Sequence, residues 1–311
     1  MSKPRRFHRD IDGILLLDKP FGLSSNAALQ QVRELFGAKK AGHAGSLDPL
    51  ATGLLPVCFG QATKVCGRLL NAGKRYRVSV QLGARTESLD CETEVVERAP
   101  IPELTEALVD GVLAGFLGEQ EQVPPMHSAL KHEGKRLYEL ARRGESVERA
   151  VRKITIDAIA RLELTPDRLD FEVSCSKGTY IRSLAADVAA KLGTLGYVAA
   201  LRRTGVNPFD AYAMYTWDDL RQRHESGGTR ALDEILLGAD IAFVDLGAAI
   251  LSDVSERALM KGQAVAAAEV APAMPLRAYG ADGRFLGLVE GQPDGRVKPV
   301  RLFVGVEAGA S

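Results

Sequence analysis

Apolar and polar positions alternate along this chain with two distinct periods. Residues 13–18 form a continuous apolar run of strand length, closed as a turn by Lys19, Pro20 and Gly22. Ser24, Ser25 and Asn26 then offer capping side chains to a helix in which Ala28, Leu29, Val32, Leu35 and Phe36 keep helical spacing until Gly37. Residues 54–59 are apolar again, residues 62–71 read as a short helix, and Tyr76, Val78, Val80 and Leu82 alternate with polar neighbours as a half-buried strand. The pattern predicts a helix over residues 102–116, broken at Pro124 and Pro125, and another strand at Phe171, Val173 and Cys175. Ile181, Leu184, Ala185, Val188 and Leu192 share one helical face before Gly193, and Thr216 can cap a helix from Trp217. Residues 225–229 read as a flexible surface loop. From about Ile250 the chain changes to short segments punctuated by Gly and Asp, with residues 276–279 and 285–289 flanking a turn and a further strand at 297–304, a pattern that fits a small β-barrel.

One stretch fits neither period. In residues 41–53 Gly42, Gly45, Pro49 and Gly53 stand close together with one His and one Asp, which describes a tightly folded loop. Pro49 disfavours helical backbone at Asp48 and holds it extended, so the loop presents a carboxylate. An Asp before Pro is also a common turn former, and spacing leaves both readings open. Arg182 is informative in a different way. A cation in the first turn of a helix meets the positive end of the dipole, unfavourable by about 0.3–1 kcal/mol, so an anion is expected opposite it, a carboxylate or a phosphate. Tyr76 heads its strand beside Lys74, Arg75 and Arg77, where its ring can pack in the core or stack on a base. Residues 126–145 carry Lys131, His132, Lys135, Arg136, Arg142 and Arg143, which suits either a solvated face or a grip on a polyanion.

A chain of 311 residues suits one large domain and a small one. The 40 basic and 40 acidic residues cancel, which argues mildly against a nucleic-acid partner, although the basic residues cluster in stripes. The four cysteines fall in no metal-binding spacing, and reduced, partly buried thiols are expected. Without an apolar run of bilayer length or a signal-peptide core, a cytoplasmic location is expected. A serine hydrolase built on Ser46, His43 and Asp48 is disfavoured, because no nucleophile elbow surrounds the serine.

The segment AGHAGSLDPLATG resembles the catalytic motif of the TruB family of tRNA pseudouridine synthases, roughly GHTGTLDPLATG, with Ala44 and Ser46 in place of two threonines. Further motifs follow in family order: LDKPFGLSS from Leu17, the Lys74, Tyr76, Leu82 and Gly83 pattern, PPxxSAxKxxGxxxYxxAR from Pro124, SKGTYIRSLAADV from Ser176, LRRT from Leu201 and a looser VKPVRLF from Val297. The resemblance implies an α+β fold: a catalytic domain over residues 1–249 with a mixed, mainly antiparallel sheet flanked by helices, an RNA-gripping insertion at about 124–145, and a PUA-like β-barrel over 250–311. It implies isomerisation of the T-loop uridine of tRNA, conventionally position 55, by cleaving C1′–N1, turning the flipped uracil and rejoining it through C5. No redox step or energy source is involved, so no cofactor and no metal are expected. Asp48 is then the essential carboxylate, Arg182 its partner that keeps it ionised, and Tyr76 the ring that stacks on uracil and is best placed for proton transfer. Tyr180 and Leu201 would wall the pocket and His43 would hold the RNA loop open. Lys19, Lys131, Arg142, Arg143 and Arg202 would bind substrate. The expected partner is the tRNA T-arm, with the chain acting as a monomer without an obligate protein partner. Two other classes share these surfaces, a non-catalytic RNA-binding module and the catalytic subunit of an RNA-guided complex. The presence of Asp48, Tyr76 and Arg182 argues against the first, and residues 124–143, which resemble the stand-alone enzymes, against the second.

Overall fold

The computed structural model describes residues 9–128, 130–132, 134–141, 143–145, 147–267 and 271–303, with the backbone alone at 131, 132, 135, 136 and 138. The apolar run becomes the buried strand β1 (Gly13–Lys19), and the capped apolar spacing becomes α1 (Ser25–Leu35), whose N-cap Ser24 accepts from Ala27 N–H. A short β2 (Ala41–His43) precedes the Asp48 loop, and β3 (Thr52–Phe59) follows it. A 3₁₀ turn and α2 (Cys66–Leu70) lead to β4 (Lys74–Leu82), then to the small pair β5 (Ala84–Thr86) and β6 (Val95–Arg98). The helix expected from Pro102 begins later, as α3 (Glu106–Ala114), because the Thr105 side chain caps it by accepting from Leu108 N–H. There follow β7 (Gly118–Gln122), the hairpin β8 (Lys131–His132) and β9 (Lys135–Arg136), and α4 (Leu137–Ala141). The chain continues through β10 (Arg152–Leu164), β11 (Arg168–Cys175), α5 (Ile181–Lys191) and β12 (Gly196–Val206). α6 (Trp217–Asp233) starts with a capping box between Thr216 and Asp219 and runs through the residues expected as a flexible loop. Only Gly228, at φ 62°, interrupts it.

The large sheet has the order β1-β3-β12-β4-β11-β10-β7, with β2 added beside β3. All its neighbours are antiparallel except β3 and β12, so the sheet is mixed and mainly antiparallel, as expected. Alternation divides β1 between two cores. Leu15 and Leu17 join Val78, Val80, Phe171 and the apolar faces of α1, α3 and α5, whereas Ile14 and Leu16 join Leu54, Phe209 and Phe243.

The last part of the chain forms β13 (Gly247–Ile250), α7 (Asp253–Met260), β14 (Val265–Ala266), β15 (Pro275–Tyr279), β16 (Phe285–Gly291) and β17 (Arg296–Leu302). These strands make a second sheet in the order β13-β15-β16-β17-β14, curled into a PUA-like half-barrel around Leu259, Leu286, Val289 and Val297. It begins at Gly247 and is packed onto the large domain: Phe285, tilted, and Phe303, edge-on, pack against Phe243, and Lys64 donates to Leu302 O at 2.7 Å.

Candidate active site

The loop between β2 and β3 is anchored from several sides before its carboxylate is considered. Leu47, Leu50 and Ala51 are buried in the main core. Ser25, the first residue of α1, accepts from Leu47 N–H at 2.7 Å and donates to Leu47 O at 3.0 Å. Gly22 N–H donates to Pro49 O at 2.8 Å, and Ala51 N–H closes a turn on Asp48 O at 3.0 Å. Gly53 is obligatory: at φ 97° a Cβ would come 2.2 Å from Arg203 O on the neighbouring strand. The backbone of Asp48 is therefore set before any substrate arrives.

The anion expected opposite Arg182 is present, and it is double. Arg182 Nη2 lies 3.0 Å from Asp48 Oδ2, and its Nη1 lies 3.2 Å from Asp90 Oδ2. Backbone carbonyls take the rest: Nη1 donates to Ser88 O at 3.0 Å and Nη2 to His127 O at 2.7 Å. Asp90 closes a turn, accepting from Glu92 N–H at 3.0 Å, and Ser88 Oγ donates to the same oxygen at 2.5 Å. Its other oxygen faces the guanidinium from a fully buried position. The carboxyl of Asp48 is raised above the ordinary carboxylate range, by burial first. Arg182 opposes that shift, and Asp90 adds to it. Arg182 thus favours the charged form of Asp48 and offsets part of a desolvation that the site itself imposes.

Asp48 opens on one side into a cavity of about 270 Å³, which keeps 43% of its side chain accessible. Tyr76, Tyr180, Leu201 and Arg182 line it. Tyr76 stands on β4 beside Arg203 of β12 in register; its phenol is raised by burial and drawn back down by that guanidinium. Tyr180 is fixed through its backbone: the side-chain amide of Gln122, at the end of β7, accepts from Tyr180 N–H at 2.7 Å and donates to Tyr180 O at 2.9 Å. The space suits one planar ring held between aromatic and aliphatic walls above a carboxylate.

Other expected residues lie elsewhere. Lys19 is wholly buried, its ammonium donating to Pro20 O at 2.9 Å, Leu23 O at 2.6 Å and Pro49 O at 3.4 Å. It braces the Asp48 loop from behind and offers nothing to a phosphate, so its place among substrate-binding residues is corrected. Burial is the largest cause that lowers its pKa to about 8. Arg202 points away from the cavity into a bidentate pair with Asp18, at 2.9 and 2.6 Å, because adjacent residues of a strand face opposite ways. His43 ends β2 next to the loop, half-buried, with Nδ1 lacking a partner among the described residues; burial and Arg203 lower its pKa, leaving a neutral ring at neutral pH. Arg143 is exposed just after α4. Arg142 and the Lys131 side chain lie outside the described residues. Asp90, Arg203 and Gln122 were not singled out from sequence as site residues, and only the LRRT motif pointed near one of them, Arg203.

Residues 33–181 match the TruB family pseudouridylate synthase N-terminal domain, residues 182–244 the tRNA pseudouridylate synthase B C-terminal domain, and residues 247–303 the pseudouridine synthase II TruB C-terminal domain. The tRNA pseudouridine synthase B of Stutzerimonas stutzeri (strain A1501) is 47% identical over 303 residues, covering 97% of this chain and 99% of that one. The chain belongs to the TruB family of pseudouridylate synthases. A second TruB relative, the tRNA pseudouridine synthase B of Nitrosococcus oceani, is 47% identical over 304 residues, covering 97% of this chain and 98% of its own. The TruB fold extends to a solved Cbf5-Nop10-Gar1 complex, whose matching chain superposes with a TM-score of 0.71 at 24% identity, over 97% of this chain and 88% of that one. As a TruB family member this chain is an isomerase acting on tRNA.

Proposed function

We propose that this chain isomerises the T-loop uridine of tRNA to pseudouridine, with the target base flipped out of the RNA into the Asp48 cavity. The observation that carries the reading is the Asp48 carboxylate, 3.0 Å from Arg182, opening into a ring-sized space walled by Tyr76, Tyr180 and Leu201. The tRNA substrate rests on the relatives' names and on the motifs that residues 124–143 share with stand-alone tRNA enzymes.

In this reading Asp48 acts at the ribose C1′ as the uracil leaves N1. A carboxylate raised by partial burial is a better nucleophile or stabiliser of positive charge than one in bulk water. Arg182 orients it, since both Nη groups are fixed by two carboxylates and two carbonyls before substrate binds. Tyr76 stacks on the detached uracil and keeps it while the ring turns, and its phenol is the group best placed to move a proton. Tyr180 and Leu201 confine the ring, and His43 sits where the base has left the RNA stack. Arg142 and Arg143 meet RNA phosphates, and the half-barrel from about residue 247 adds RNA contact away from the chemistry. The reaction needs no cofactor, and the chain works alone on naked tRNA in the cytoplasm. Incubating the purified chain with an unmodified tRNA transcript, without guide RNA or other protein, and mapping the altered residue tests this. Pseudouridine at the T-loop supports it; binding without conversion would point to an RNA-binding module or a missing partner.

A further inference from the structure

Four cations lie buried in or directly behind the cavity, and they differ in what is left for a substrate. Lys19 spends its ammonium on three carbonyls. Lys74 does the same, donating to Leu69 O at 3.2 Å, Leu70 O at 2.7 Å and Ala72 O at 2.6 Å at the end of α2. Arg182 has both Nη groups engaged by Asp48, Asp90 and two carbonyls. Arg203 is different. It is 1% exposed, and among the described residues no carboxylate pairs with it. Its Nε donates to Leu54 O at 2.7 Å and its Nη2 to Gly45 O at 3.1 Å. A guanidinium has five N–H donors; two go to these carbonyls, the Tyr76 phenol is hydrogen-bonded to the side chain as well, and no carboxylate takes the remainder among the described residues. A buried charge left without a counter-anion is costly, and a fold retains one where an anion arrives.

The place fits. Arg203 lines the cavity and stands in register with Tyr76 on the adjacent strand. Gly45 leaves its flank open: a Cβ there would come 3.4 Å from Nη1. The proposed reaction, on which this inference rests, creates an anion at that point. When C1′–N1 breaks, its electron pair stays on N1 and the uracil ring carries a negative charge. The charge disappears as C1′ bonds to C5, C5 gives up its proton and N1 takes one up.

We propose that Arg203 is a catalytic residue of the cavity, whose free guanidinium edge meets the negative charge of the detached uracil and holds the Tyr76 phenol against that ring. Its two carbonyl contacts, at Gly45 and Leu54, aim the guanidinium without neutralising it, so the donor is preorganised for the transient anion. Arg182 then serves the carboxylate side of the breaking bond and Arg203 the base side.

The test uses Arg203→Gln and Arg203→Lys in the full chain, with thermal unfolding and tRNA affinity measured alongside single-turnover tritium release from tRNA tritiated at uridine C5. The expected result is folded protein binding tRNA within a few-fold of wild type, with the single-turnover rate of Arg203→Gln down by about a hundredfold or more. The Tyr76 phenol, followed by ¹³Cζ-tyrosine NMR and assigned with Tyr76→Phe, titrates at higher pH in Arg203→Gln; Arg203, Cys175 and Asp48 are the charged or titratable groups that act on it. Should the neutral variant not fold, Arg203→Lys, which keeps the charge but loses the planar fork, carries the rate comparison. A rate within a few-fold of wild type, or a loss that follows stability alone with the Tyr76 titration unmoved, overturns the proposal. An active wild type with undiminished variants overturns this inference and leaves the proposed function standing; an inactive wild type ends both.

Discussion

Asp48 is destabilised in its charged form by the site that uses it. Its carboxyl is raised by burial, so its contribution to folding favours the protonated state below the ordinary carboxylate range and is lost as pH rises through the raised value. At neutral pH the charged side chain is a burden on the fold, and Asp48→Asn is expected to abolish turnover without lowering the melting temperature; a drop of several degrees would contradict this. Asp90 raises the same carboxyl. Asp90→Asn should therefore move the acid limb of the kcat/KM profile to lower pH, while lowering the rate because Arg182 loses one of its two carboxylates; an acid limb moved upward would refute the network. Sequence made Asp48 and Arg182 legible, the first through its loop and family motif, the second through the dipole argument that a first-turn arginine requires an anion. That the second oxygen of Asp90 faces Arg182 depends on packing across residues 88 to 182, which no local pattern carries.

At the scale of elements, the Asp48 loop is held by neighbours that are distant in sequence. Ser25, Lys19 and Arg203 bind its backbone at Leu47, Pro49 and Gly45, and Gly53 permits the crossing beside β12. Gly53→Ala must displace either this crossing or the strand, and about 2 kcal/mol or more of lost stability is expected, read as a shifted urea midpoint. An unchanged midpoint would show that the loop does not need its present path. The strands and helices themselves were readable from period and caps, as in β4 and α5. Two adjacent arginines were not. LRRT does not say which of Arg202 and Arg203 faces inward; bulges in the β12 pairing decide the phase, and the structure turns Arg203 into the cavity and Arg202 onto Asp18. Lys19 was misplaced for a related reason. Lysines are mostly exposed, and only the three carbonyls converging on its ammonium explain a buried one.

Over the whole molecule, the half-barrel is bound to the large domain more closely than an appended module requires. Phe285, Leu288 and Phe303 share a core with Ile14, Leu16, Leu54 and Phe243, and Lys64 and Arg301 exchange contacts with backbone across the junction. Cutting the chain after Leu246 should lower the melting temperature of the remainder as well as its RNA affinity, with single-turnover conversion at saturating protein less affected than binding; an unchanged melting temperature would make the junction incidental. The zero net charge is compatible with RNA binding if basic residues are concentrated locally, since opposite charges elsewhere pair with one another, as Arg161 does with Glu106 and Asp110. The outer grip is then local, and replacing Arg142 and Arg143 by Ala should flatten the salt dependence of tRNA binding by about two units of log–log slope. The central claim is that Asp48 drives isomerisation of a flipped T-loop uridine. It is tested most directly by tritium release from C5-tritiated tRNA, comparing wild type with Asp48→Asn and mapping the altered residue. The account predicts release by wild type alone, at the T-loop; release by both proteins, or by wild type at another site only, would contradict it.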